Sequence, residues 1–225
     1  MNDSGSDIYT EADSHPDTLA NLGPLRPLAG VWESAHGADE HPVGRGSDAS
    51  EADIAAGTEH NTYVERYELE PIDPQTNGPQ LFYGLRYHVH IVKPGEVETF
   101  HDQVGYWLWE PAANRVTHTL AIPRGQVLLA AGTAQPDSTE FEVAADLGSQ
   151  TYGILSNPFL DASFRTVSFR MRVTVNNDGT WMYREDATLQ MPDRDEPFHH
   201  IDQNTLTRVG QPIPNPLARA EGQRT

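Results

Sequence analysis

The stretch Val167-Ser168-Phe169-Arg170-Met171-Arg172-Val173-Thr174-Val175 alternates apolar and polar residues without a break. Successive side chains of a β-strand point to opposite faces, so this segment predicts a strand with one dry and one wet face. An antiparallel sheet closed around an interior has that property along every strand. Strand signals recur at residues 62–70, 81–92, 99–110, 115–122, 126–134, 139–145, 180–191 and 199–209, beside the 165–175 run itself. Turn signals separate them, at Asp73-Pro74, Asn77-Gly78, Pro94-Gly95, Pro111 to Asn114, Pro136-Asp137 and Asn177-Asp178-Gly179. A first strand is expected from Gly30 through Val31 and Trp32. Short connections imply an up-and-down barrel in preference to a Greek-key sandwich. The fold class expected is all-β: an antiparallel up-and-down β-barrel of about ten strands.

Ahead of the barrel, leucines at 19, 22, 25 and 28 predict a short N-terminal helical plug, interrupted by Gly23-Pro24. The segment from about Ala35 to His60 is rich in Gly, Ser, Asp and Glu, and reads as a long hydrophilic loop, a lid or an insertion. Residues Gly148 to Arg165 break the strand rhythm, with a short helix expected around Pro158 to Ala162. Residues 1–17 read as a disordered acidic tail, 18–210 as one barrel domain and 211–225 as a flexible C-terminal tail.

Composition removes several functions. The chain has 225 residues and no cysteine, which excludes disulfide frameworks, thiolate zinc sites and cysteine-ligated haem. The formal charge of −18 argues against nucleic acid or an anionic membrane as partner. No apolar run approaches the roughly 20 residues of a membrane helix, and the acidic N-terminus is unlike a signal peptide, so a cytoplasmic location is expected. Of the 15 basic residues Lys93 is the single lysine, a balance that high-salt life or high-GC coding would each produce. No phosphate-cradling glycine loop and no G-x-S-x-G nucleophile context occurs.

Ten histidines remain. The pair His199-His200 opens the last predicted strand, so one imidazole should enter the barrel and the other face out. His88 and His90 share a face, and a hairpin turning at Pro94 to Val97 would set His90 opposite His101 and His88 opposite Gln103. His88, His90 and Glu96, between Gly84 and Gly105, loosely follow a cupin metal motif. The gap from His90 to Glu96 is too long for that motif, and no histidine follows Ile122 to Gly125 to complete it.

Three segments taken together resemble the nitrobindin family: Leu25 to Glu33, Phe100 to Trp109, and His200-Ile201-Asp202-Gln203-Asn204-Thr205-Leu206. The resemblance runs from about Leu19 to Val209. It implies a ten-stranded barrel that holds haem b through one histidine, binds nitric oxide and isomerises peroxynitrite to nitrate. Carried over, the iron ligand is His200, with His199 as the alternative, and His101 lines the pocket. Trp32 and Ser34 stand in the family's N-terminal haem-contacting motif, where Ser34 and His36 replace glycines. The imidazole of such a ligand needs an acceptor for its second nitrogen, and Asp202 is expected to serve only if a bulge brings it near. Trp32, Phe82, Trp107, Trp109 and Phe198 are the aromatic candidates for covering a porphyrin. The competing function is a haem-free barrel carrying a fatty acid or other apolar ligand. The sequence leaves a homodimer open.

Overall fold

The computed structural model describes residues 19–44 and 49–212. The expected tail at 1–17, and the C-terminal tail beyond Pro212, lie outside the described residues. Ten strands close into an antiparallel barrel: β1 (Gly30–Pro42), β2 (Thr58–Asn77), β3 (Gln80–Val92), β4 (Thr99–Glu110), β5 (Arg115–Ile122), β6 (Gln126–Thr133), β7 (Glu140–Asp146), β9 (Arg165–Val175), β10 (Trp181–Gln190) and β11 (Phe198–Gly210). The three-residue strand β8 (Ile154–Ser156) pairs only with the edge of β6, outside the ring. Neighbours in sequence are neighbours in space, and β11 returns to pair with β1.

The plug is a 3-10 helix over Gly23–Leu28 that buries Leu25 and Leu28 against one end of the barrel. Gly23 has φ +54, and a Cβ there would meet the Trp109 indole at 2.5 Å, so glycine is required for the close approach. Arg208 on β11 locks the plug: its guanidinium donates to the carbonyls of Ala29 and Pro27 and stacks over Trp32 at 4.1 Å. Trp32 Nε1 donates to the Leu28 carbonyl.

A connected set of rings fills the barrel axis, drawn from inward positions of successive strands. Trp32, Trp181, Tyr67, Tyr87, His118, Trp107, Phe141 and Phe169 touch in turn, with centroid separations from 4.0 to 6.3 Å. Such offset and edge-to-face contacts add to the large area these rings bury. His118 is wholly buried in this set, stacked on Trp107 and bonded to the Tyr87 hydroxyl, and burial pushes its pKa down to about 3. It is a neutral core residue.

Three sequence expectations need correction. The hydrophilic segment 35–60 is not one loop. β1 runs on to Pro42, a short helix α1 (Glu51–Ala56) is capped by Ser50, and β2 begins at Thr58. Asp73-Pro74 is not a turn but a bulge within β2, between Ile72 and Gln75, where a proline costs no ladder bond. The β3–β4 register is displaced by one residue. Val92 pairs with Thr99 as the hairpin turn dictates, but Phe100 is inserted as a bulge, so Ile91 faces His101 and His90 faces Asp102. A one-residue slip moves every later side chain to the other face. His88 and His90 point outward and His101 inward, so the minor cupin-like reading, a metal site at His88, His90 and His101, is not met.

The helix expected near Pro158 is present as α2 (Pro158–Ser163), with Asn157 accepting from the backbone N–H groups of Phe159 and Leu160.

Candidate functional site

At the end of the barrel opposite the plug, β1, β2, β10 and β11 bring ionisable side chains to the interior. β11 pairs with β10 without a register break from Phe198 to Leu206, so its alternation is strict. His199 points outward, its Nδ1 2.9 Å from Asp186, with its side chain 60% exposed. His200 points inward. Its Nε2 lies 2.9 Å from Oδ1 of Asp39 and 3.3 Å from Oδ2 of Asp202, and its side chain stays 33% exposed at the mouth. Asp202 needs no bulge to reach it, because residues two apart on a strand share a face.

Asp39 on β1 is buried and also bonds Nδ1 of His41 at 2.5 Å. His41 in turn lies 3.6 Å from Glu59 on β2, and its ring is 6.2 Å from those of His200 and Phe100. Beneath this layer Glu65 is buried, accepting from the Tyr183 hydroxyl and from Nδ2 of Asn204 at 2.6 Å. Its second oxygen has no partner, nor has the Asn204 carbonyl oxygen.

Protonation keeps so acidic a mouth from carrying its full formal charge. Burial alone would raise Asp39, yet the hydrogen bonds from His200 and His41 hold it down at about 2. Burial opposes the charge on His200 too, but Asp39 and Asp202 raise it to about 9. Burial raises Asp202 to about 6, with His200 pulling the other way, and raises Glu65 to about 7 against its two hydrogen bonds. Glu185 on β10 reaches about 8 through burial and the Asp202 charge. At neutral pH the mouth thus holds an Asp39–His200 ion pair with a largely ionised Asp202 beside it, while Glu65 is about half protonated and Glu185 mostly so.

An apolar wall adjoins the ion pair. Ala187 lies directly across from His200 on β10, and Phe198, Leu189 and Met191 pack into a cluster with Phe164 and Ala187. From the other side His101 reaches into the mouth, its Nε2 3.2 Å from Gln103 Oε1; burial holds its pKa below the ordinary histidine value.

A family model described as "THAP4-like, heme-binding beta-barrel domain" matches residues 21–208. The chain belongs to that family. No curated protein matches it at the same stringency. Among solved structures the haem-binding-family chain is similar to the crystal structure of Rv2717c from M. tuberculosis, at 15% identity and a TM-score of 0.52, over 83% of this chain and 96% of that one. That likeness speaks to the barrel fold.

The residues of this haem-binding-family barrel fit the axial position of such a group. An inward imidazole stands at an open barrel end, beside an apolar wall, with a carboxylate in place to take one ring N–H. The absence of cysteine leaves no thioether anchor, so a haem here would be held without covalent links. Of the residues expected to contact it, His200 and His101 both turn inward at this end, close enough for the charge of one to be felt by the other. Trp32 does not: it sits at the plug end, paired with Arg208. Ser34 lies in a bulge of β1 between the two ends, its Oγ accepting from the backbone N–H of His36, which is exposed. Trp107 and Trp109 belong to the core, and of the aromatic candidates Phe198 alone lies in the cluster beside His200.

Sequence reasoning missed Asp39, His41, Glu59, Glu65 and Glu185. The one available signal was parity: Gly37, Asp39 and His41 continue the inward series of Trp32 once the bulge after Ser34 is counted.

Proposed function

We propose that this chain holds haem b at the mouth of its barrel through His200 and there binds nitric oxide, with isomerisation of peroxynitrite to nitrate as the associated activity. The observation that carries the reading is the inward His200, on the strand that closes a barrel of a haem-binding family. His200 would hold a bound haem, whose iron would supply a centre that takes up a small ligand.

The chain's own residues do the rest. Asp39 accepts a hydrogen bond from Nε2–H of His200 and fixes the ring's orientation, which leaves Nδ1 as the nitrogen for iron. Ala187, across from His200, presents only a methyl group at that position. Phe198, Leu189 and Met191 offer apolar surface and exclude water on that side. His101, neutral because burial opposes its charge, can donate or accept one hydrogen bond at a small polar ligand. The ring-filled axis weighs against an apolar carrier, since a fatty acid chain would have to displace Tyr67, Tyr87 and Trp181.

Titrating purified haem-free protein with hemin tests the proposal. A Soret band that saturates at equimolar hemin, and shifts when nitric oxide is added to the reduced protein, is expected. Spectra that remain those of free hemin would refute it.

A further inference from the structure

The Phe100 bulge has a second result, on the outside of the barrel. It carries Asp102 to the outer face opposite His90, where His88, two residues away on β3, also points. One carboxylate oxygen, Asp102 Oδ2, lies 2.9 Å from His88 Nε2 and 3.6 Å from His90 Nδ1. The two imidazole rings are tilted at 55° with centroids 6.3 Å apart. The donor atoms of all three side chains lie within 4.8 Å of one another.

We propose that His88, His90 and Asp102 form a surface site for a divalent transition-metal ion of the zinc and copper class, separate from the barrel mouth. Two imidazole nitrogens and one carboxylate oxygen are a donor set that such ions prefer over magnesium or calcium, which favour all-oxygen shells. Bonds of about 2.0–2.2 Å in a tetrahedral shell set donor atoms about 3.4 Å apart, so the His90–Asp102 separation already fits and the His88–Asp102 contact has to open slightly. Side chains that are 47%, 42% and 34% exposed have the freedom to do so.

The backbone beneath them is fixed, because β3 is hydrogen-bonded to β2 on one side and β4 on the other. The neighbouring arginines do not compete, Arg86 being paired with Glu70. Arg66 pairs with His90 across β2, but its guanidinium is held by Glu33 at 2.5 Å and by Glu68 at 2.7 Å. Glu68, the β2 partner of His88, is engaged by Arg66, so that pair brings no uncompensated positive charge to the site. The −18 net charge attracts divalent cations generally, and the imidazole pair selects among them. Coordination positions not filled by protein would face water.

The experiment is a calorimetric titration of the full chain with zinc chloride, repeated with copper(II) chloride and read by electron paramagnetic resonance. The wild type, His88→Ala/His90→Ala, Asp102→Asn and, as a control at the mouth, His200→Ala are compared. The wild type and His200→Ala should share a zinc-binding event that weakens by about tenfold or more in the other two variants. The copper spectrum should lose its imidazole-nitrogen couplings in the double variant alone. A double variant that binds zinc with wild-type affinity and stoichiometry, or a wild type that binds none, would overturn the site. Asp102→Asn preserves side-chain shape, so it decides the matter if the double variant folds poorly. Hemin binding by the same proteins is read separately, and its outcome does not bear on this site.

Discussion

Nε2 of His200 lies 2.9 Å from Oδ1 of Asp39, a carboxylate only 2% exposed, and the contact ties the last strand of the barrel to the first. Closure of an up-and-down barrel depends on that seam. Here the seam carries an ion pair at the place where a haem ligand is needed. The pair positions the imidazole and favours its cationic form, so iron binding at Nδ1 would release a proton from the ring.

Removing Asp39 should therefore act on stability and on titration together. Asp39→Asn is expected to cost about 2–3 kcal/mol near pH 6, below the roughly 3–5 for a fully buried pair because His200 is partly wet. The depressed pKa of Asp39 gives stability above 3.8 that is lost as pH falls through about 2. The raised pKa of His200 gives stability below 6.5 that is lost as pH rises through about 9. The difference between wild type and variant should thus be largest at pH 4 to 6.5 and shrink by pH 10. Histidine NMR titration should show His200 in the variant falling from about 9 toward its ordinary value.

Glu65 should behave in the opposite sense. Its folded pKa is raised to about 7, so its protonated form stabilises the fold below 4.5, and that contribution is lost as pH rises through 7. Glu65→Gln keeps an acceptor for Tyr183 and Asn204 and removes the charge. We expect the variant to be more stable than wild type by roughly 1–3 kcal/mol at pH 8, and close to it at pH 4.5, by denaturant melts. Equal gains at both pH values would show that charge is not the cause.

Most of the barrel was legible in the sequence, and the reason is visible in Phe169, Met171 and Val173. Where the inward face is apolar, period-2 alternation marks the strand, and the boundaries of β3 to β7 and β9 to β11 follow within a residue or two. The second half of β1 and the start of β2 were not legible, because Asp39, His41 and Glu59 occupy the inward positions there. Those positions carry the mouth instead of the core, so the hydrophobic pattern fails where the site begins. The Phe100 bulge was equally hidden: the turn at Pro94-Gly95 sets the first pair correctly, and no residue type announces the insertion that follows. Alternation showed that one of His199 and His200 enters the barrel and the resemblance selected His200, whereas its partner Asp39 was lost inside an apparent loop.

Packing at the β1 bulge offers a test that involves no ionisable group. A Cβ at Gly37 would stand 2.0 Å from the Tyr63 ring, which is itself wholly buried and bonded to Tyr183. Gly37→Ala should destabilise by about 1–3 kcal/mol, the usual cost of overpacking. Gly44→Ala, where nothing lies within 4 Å, should stay within about 0.5 kcal/mol of wild type in the same thermal melts.

The central claim is that His200 is the residue that holds haem, and paired substitutions on adjacent residues test it most directly. His200→Leu and His199→Leu are each titrated with hemin beside the wild type, with circular dichroism confirming that both are folded. His200→Leu should lose the saturable Soret band or show that of loosely held hemin, while His199→Leu, altered on the outer face, keeps the wild-type spectrum and affinity. Loss of the band in His199→Leu with retention in His200→Leu, or retention in both, would contradict the account.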